Sequence, residues 1–248
     1  MPHKLIAIVP AAGVGQRAQI AASEHASQPK QYRLLHGEPM LRHAVRALLA
    51  DERIERVLVA VAAGDEAAEA ALAGLPRTVV SPCGGPTRAQ TVMSALREAR
   101  PGPGDWALVH DAARPGLPAQ ALARLIDTCL AHGVGGLLAL PVADTVKRAV
   151  AIDRDACLLT GGPGMADSGF AVQSTVDREA LWAAQTPQMF LALKLLHALE
   201  RAHAAGRPVT DEASAMEAAG VQPRLVAGSV RNFKVTWPED FQLMEKWL

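Results

Sequence analysis

Six cations stand in loops or at the ends of elements along this chain: Arg17, Lys30, Arg88, Arg114, Arg178 and Lys234. In such places a cation can meet a phosphate and hold developing charge without waiting for solvent to reorganise. The stretch PAAGVGQR at 10–17 carries small residues that let backbone N–H groups close on an anion, and SPCGGPTR at 81–88 makes a rigid yet glycine-opened turn. Asp111, within HDAARP at 110–115, offers the hard oxygen that a Mg²⁺ ion organising a triphosphate uses. The same carboxylate reads equally well as an acceptor of loop N–H bonds. Lys234 lies in the apolar alternation NFKVT, where a lysine needs a reason. Snorkelling from an edge strand is its other reading, and any single loop arginine reads also as plainly solvated.

Several chemistries are disfavoured. The first loop has Gly13 and Gly15 but no third glycine for a dinucleotide fingerprint, and no G-K-[ST] for a mononucleotide loop. There is no H-E-x-x-H and no G-x-S-x-G. No histidine or acid is spaced to make Cys83 a nucleophile, and His110 reads as a hydrogen-bonded structural residue. Lysine plus arginine balance aspartate plus glutamate at 25 each, so no general nucleic-acid or membrane surface is expected. Cys83, Cys129 and Cys157 have no metal spacing, which points to reduced thiols in a cytoplasmic protein. The first strand begins within four residues of Met1, leaving no room for a signal peptide, and no apolar run is long enough to span a bilayer.

The elements that must position these groups alternate. Leu5 opens a short buried strand, and helical spacing runs from Pro39 to Leu49. A second strand is expected at 56–63, a helix at 65–73, a third strand at 77–81 and a helix capped by Thr87 to about Ala99. A strand at 106–110, a helix at 118–132 and a strand at 135–141 complete an α/β pattern with a mostly parallel sheet. Three strand exits therefore carry the unusual sequences, and ligands of open α/β sheets sit beyond the carboxyl ends of the strands. Length fits one domain over 1–248.

From Asp144 the pattern changes. Residues 145–152 and 169–176 read as two extended strands around a polar, glycine-rich centre, forming a protruding β-arm at about 144–178. A lone hairpin is marginal in water, so exchange with a second subunit is its natural use, folding back on its own domain the other. The chain returns through AAQTPQMF to a helix at about 190–204, then a helix capped by Thr210. Late strands are expected at 221–227 and 232–236, and a final helix opens at Pro238.

PAAGVGQR, PKQY, GGPTR, HDAARP, TVK, TVDR, QTPQ, TDE and NFKVT, in this order over nearly the whole chain, resemble the 2-C-methyl-D-erythritol 4-phosphate cytidylyltransferase family. The resemblance implies a Rossmann-like nucleotidyltransferase fold and a homodimer that exchanges its β-arm. The implied reaction joins CTP and methylerythritol 4-phosphate, with Mg²⁺, giving CDP-methylerythritol and pyrophosphate in non-mevalonate isoprenoid synthesis. It assigns Arg17 and Lys30 to the triphosphate, and Ala11, Ala12, Gly13, Gly15, Gly85, Arg88 and Thr91 to the region of the nucleotide. Asp111 and Ala112 fall to the ribose and metal, with Arg114 a cation beside them. Thr145 and Arg178 would serve the neighbouring subunit's substrate phosphate; Thr186 and Lys234 would stand near the substrate at home. Thr91 replaces a common serine and keeps its hydroxyl, the segment 153–174 is longer than usual, and Pro86 and Trp237 are less typical neighbours. A ribitol 5-phosphate cytidylyltransferase is the nearest competing enzyme, and a regulatory nucleotide-binding protein the contrasting class.

Overall fold

The computed structural model describes residues 3–13, 29–152 and 169–248. Gly15, Arg17 and the centre of the arm lie outside the described residues. The chain begins with β1 (Leu5–Pro10) and, after a 3₁₀ turn at Lys30–Tyr32, makes the small ladder β2 (Leu34–Leu35) and β3 (Glu38–Pro39). Then follow α1 (Met40–Leu49), β4 (Ile54–Ala60), α2 (Ala67–Leu72), β5 (Thr78–Ser81), α3 (Arg88–Ala99), β6 (Trp106–Val109), α4 (Ala119–His132) and β7 (Gly136–Pro141). The arm is β8 (Val146–Ala151) and β9 (Phe170–Val176). The return comprises β10 (Trp182–Leu191), α5 (Ala192–Ala204), α6 (Glu212–Ala218), β11 (Arg224–Ala227), a 3₁₀ turn at Val230–Asn232 and α7 (Pro238–Glu245).

Seven strands form one sheet in the order β11-β7-β10-β6-β1-β4-β5. Every neighbouring pair is parallel except the two made by β10, which runs against β6 and β7. The alternation along β1 explains the layering. Leu5, Ala7 and Val9 face a core built with α1, α2 and α4; Ile6 and Ile8 face a second core built with α3, α5 and α6. A third, smaller cluster joins Leu35, Met40, Ala113, Val235, Phe241 and Met244.

Four expectations change. AAQTPQMF is not a simple return: it is part of β10, a strand inside the sheet, with an irregularity between Ala184 and Gln188. Asn232–Thr236 is not a strand but the end of a 3₁₀ turn and an irregular segment, because its backbone bonds to loops instead of a ladder. Asp211, not Thr210, caps α6: its side chain accepts from the Ser214 N–H, and the Ser214 hydroxyl closes the capping box. Finally, the strand expected at 221–227 starts only at Arg224.

Candidate active site

In the sheet order β1 lies between β4 and β6, and the chain winds in opposite directions on its two sides. The crevice of such a sheet lies beyond this switch point. A pocket of about 230 Å³ is found there, lined by Pro10–Gly13 at the end of β1, by Gly85–Arg88 and Thr91 at the start of α3, and by Asp111–Ala113 after β6. Lys30, Gln31, Met40 and Lys234 complete the wall. The structure thus brings together Ala11, Ala12, Gly13, Lys30, Gly85, Arg88, Thr91, Asp111, Ala112 and Lys234 from the sequence-based set.

Backbone bonds fix both glycine loops to the exit of β4. The Ala11 N–H donates to Ala60 O at 2.8 Å, and the Gly84 N–H to Val61 O at 2.9 Å. A Cβ on Gly84 would lie 2.6 Å from Val61 O and against the Ala12 side chain, so only glycine fits this close approach. The Thr91 hydroxyl accepts the Gly85 N–H at 3.0 Å and lies 3.0 Å from Thr87 O, which can take its proton. Buried Gln31 donates to Ala11 O at 2.8 Å, pinning the 3₁₀ turn that carries Lys30.

Across the floor runs an alternating line of charge. Glu212, 1% exposed, receives both terminal nitrogens of Arg88 at 2.7 and 3.1 Å. The Arg88 Nε donates to Asp111 Oδ1 at 3.0 Å, and Lys234 Nζ to Asp111 Oδ2 at 2.8 Å. Burial alone would raise the Asp111 carboxyl, yet Arg88 and Lys234 hold it well below the usual carboxylate range. Lys30 Nζ donates to Val235 O at 2.6 Å, next to Lys234. Lys234 is the open end of this line, with 40% of its side chain exposed, and it can exchange Asp111 for an incoming anion.

Beneath Asp111 a neutral relay sets the backbone. Burial pushes the His110 imidazole down to about 4. Its Nε2 faces Arg114 O at 3.0 Å, so that nitrogen carries the proton and Nδ1 must accept. The Thr186 hydroxyl then donates to Nδ1 at 3.0 Å and accepts the Asp111 N–H at 2.9 Å.

Four predicted residues lie elsewhere. Thr186 does not line the pocket; its hydroxyl is used in the relay. Arg114 is buried behind the floor and donates to Asn232 O at 2.7 Å. Thr145 and Arg178 flank the base of the arm, where the Arg178 guanidinium meets Ala143 O. Sequence reasoning gave no site role to Gly84, Gln31, Glu212 and Asn232, although each stands in a quoted motif. Glu212 stood in the matched segment TDE and in the first turn of α6, but helix polarity already accounts for an acid there, so no site role was assigned to it. Burial raises the Cys83 thiol pKa, in keeping with an inert side chain.

The family model described as 2-C-methyl-D-erythritol 4-phosphate cytidylyltransferase matches residues 5–248. A protein of that name from Bordetella pertussis is 63% identical over 248 residues, 100% of either chain. One from Ralstonia nicotianae is 47% identical, over 98% of this chain and 91% of its own. Among solved structures, a 4-diphosphocytidyl-2C-methyl-D-erythritol synthase superposes with a TM-score of 0.79 at 36% identity, covering 100% of this chain and 99% of that one. The Francisella tularensis 2-C-methyl-D-erythritol 4-phosphate cytidylyltransferase superposes with a TM-score of 0.76 at 28% identity, over 99% and 100%.

Proposed function

The chain belongs to the 2-C-methyl-D-erythritol 4-phosphate cytidylyltransferase family and transfers a cytidylyl group from CTP to that alcohol phosphate, and we propose that the pocket beyond β1 and β6 is where it does so. One observation carries this reading: Lys30 and Lys234 both line a glycine-walled crevice, with the Lys30 ammonium donating to the carbonyl of Val235, the residue after Lys234. The acceptor phosphate is already an anion near neutral pH, so no general base is required. An acceptor oxygen forms a bond to the α-phosphorus of CTP, the bond from that phosphorus to the bridging oxygen breaks, and pyrophosphate leaves with the electron pair. The difficulty is bringing two polyanions together. Arg17, Lys30 and Lys234 offset that repulsion, align the attack and stabilise the added charge of the transition state.

Ala11, Ala12, Gly13, Gly15, Gly85, Arg88 and Thr91 surround the nucleotide in this reading, and Asp111 and Ala112 meet the ribose. Asp111 is the single carboxylate among the described lining residues, and these residues hold no cluster of three or more metal-ligating side chains. That donor set fits Mg²⁺ carried mainly by triphosphate oxygens, with Asp111 as its contact on the protein. When bound, the ion supplies neutralisation of phosphate charge. Arg114 and Thr186 support the floor.

In this reading the chain is one domain over 1–248. Its arm pairs with no other described strand and leaves Val150, Ile152, Phe170 and Val172 exposed. Such a hairpin is marginal in water alone, and a homodimer exchanging arms would cover these residues and bring Thr145 and Arg178 to the neighbour's acceptor phosphate. Among the described residues no helix is long and apolar enough to cross a membrane. A cytoplasmic setting, where CTP is available, agrees with the free thiols of Cys83 and Cys129.

The test is pyrophosphate release on mixing CTP, Mg²⁺ and the acceptor. Methylerythritol 4-phosphate should support rapid release and ribitol 5-phosphate little; the reverse order would transfer the reading to the second substrate. Lys30→Ala should lower kcat by about 100-fold or more while KM for CTP moves far less, the signature of an interaction made chiefly in the transition state. An unchanged kcat with a matching rise in KM would refute that role.

A further inference from the structure

Lys234 lies on no helix or strand; it follows the 3₁₀ turn Val230–Asn232 and precedes α7. A long flexible side chain on an irregular segment serves as a fixed charge only if the backbone beneath it is held. Val235 holds one side: its side chain is fully buried in the third cluster, and its N–H donates to Ala113 O at 2.9 Å. Asn232 holds the other. It has no exposed surface, and its Nδ2 donates to Thr186 O at 2.7 Å and to Gln185 Oε1 at 3.2 Å. Its carbonyl accepts from Arg114.

Thr186 is also the residue whose hydroxyl accepts the Asp111 N–H. One residue of β10 thus joins the backbone under Asp111 to the backbone under Lys234, and the two side chains meet at 2.8 Å above it. The Oδ1 atom of Asn232 is buried without a hydrogen-bond partner among the described residues. A buried amide satisfied on one side only costs stability, so stability is a poor reason for its presence.

We propose that Asn232 is a positioning residue for the cytidylyl transfer: its amide, through Thr186, sets where the Lys234 ammonium stands relative to Asp111 and the reacting phosphates. This rests on the reading of Lys234 as a phosphate-holding cation. Asn232 is not among the residues lining the pocket, so it acts on turnover through others, and the proposal places that effect at Lys234. A role in packing alone would lower stability and leave a kinetic cost that is independent of the lysine.

The two are separated by a double-mutant cycle of Asn232→Ser and Lys234→Ala, with kcat and both KM values measured by pyrophosphate release per folded molecule. Lys234→Ala should lower kcat by about 100-fold or more, and Asn232→Ser by roughly 10-fold with KM for CTP within about threefold. In the Lys234→Ala background, Asn232→Ser should cost less than about twofold. An equal loss in both backgrounds overturns the proposal. A Lys234→Ala enzyme with undiminished kcat refutes the role of the lysine itself, a failure visible in that single variant. Should Asn232→Ser not fold, Gln185→Ala removes the second acceptor of the amide and keeps Thr186 in place. Its expected loss of about threefold in kcat should likewise vanish without Lys234, and persistence there overturns the proposal.

Discussion

At the scale of the residue, the site separates groups that face the pocket from polar groups spent on holding them. His110 belongs to the second kind. It is fully buried and pushed down to about 4, so the fold holds it neutral while the unfolded chain takes up a proton near the ordinary value of 6.5. The stability this contributes is complete above 6.5 and is lost as pH falls toward 4, since the unfolded state binds the proton first. The gap corresponds to about 3 kcal/mol at most. Urea unfolding of wild type and His110→Asn from pH 7 to pH 4 should show the variant weaker at neutral pH and less steep in acid. Parallel curves would mean that His110 is protonated as easily in the fold as out of it.

At the scale of the element, the glycine loops give a prediction with two different signatures. A Cβ on Gly84 meets Val61 O and Ala12, which belong to rigid backbone and wall, so Gly84→Ala should cost about 1–3 kcal/mol and raise KM for CTP. Around Gly13 a Cβ meets nothing within 4 Å among the described residues, yet the position faces the pocket. Gly13→Ala should melt within about a degree of wild type and still weaken nucleotide binding. Equal thermal shifts for the two would sink the distinction. The sequence displayed these loops and five of the six parallel strands because buried strands read as apolar runs ending in glycine or proline. It hid β10, since Gln185, Thr186 and Gln188 break the apolar run with side chains that are buried and hydrogen-bonded. It misled at Asn232–Thr236: NFKVT alternates like a strand, but the fully buried anchors are Asn232 and Val235, three apart. At α6 two capping residues stand side by side, and only the position of Ser214 selects Asp211.

At the scale of the whole molecule, the same chain has to supply a rigid crevice and an arm that reaches away from it. Lys30 lines its own chain's pocket, whereas Arg178 flanks the base of the arm and does not. If each arm completes the partner's site, the two residues act in one site while belonging to different chains. That arrangement can be counted. Lys30→Ala and Arg178→Ala homodimers should each be nearly inactive. After unfolding and refolding an equal mixture, half the dimers combine one chain of each kind. In these, one site has both residues intact and the other lacks both, so the mixture should recover about a quarter of wild-type activity. If Arg178 serves the pocket of its own chain, every site in every dimer lacks one residue and nothing is recovered. Adding Val172→Asp to both chains should abolish the recovery, because a charge on the exposed apolar strand opposes its burial against a neighbour. Recovery undiminished by that charge would place the exchange elsewhere than on β9.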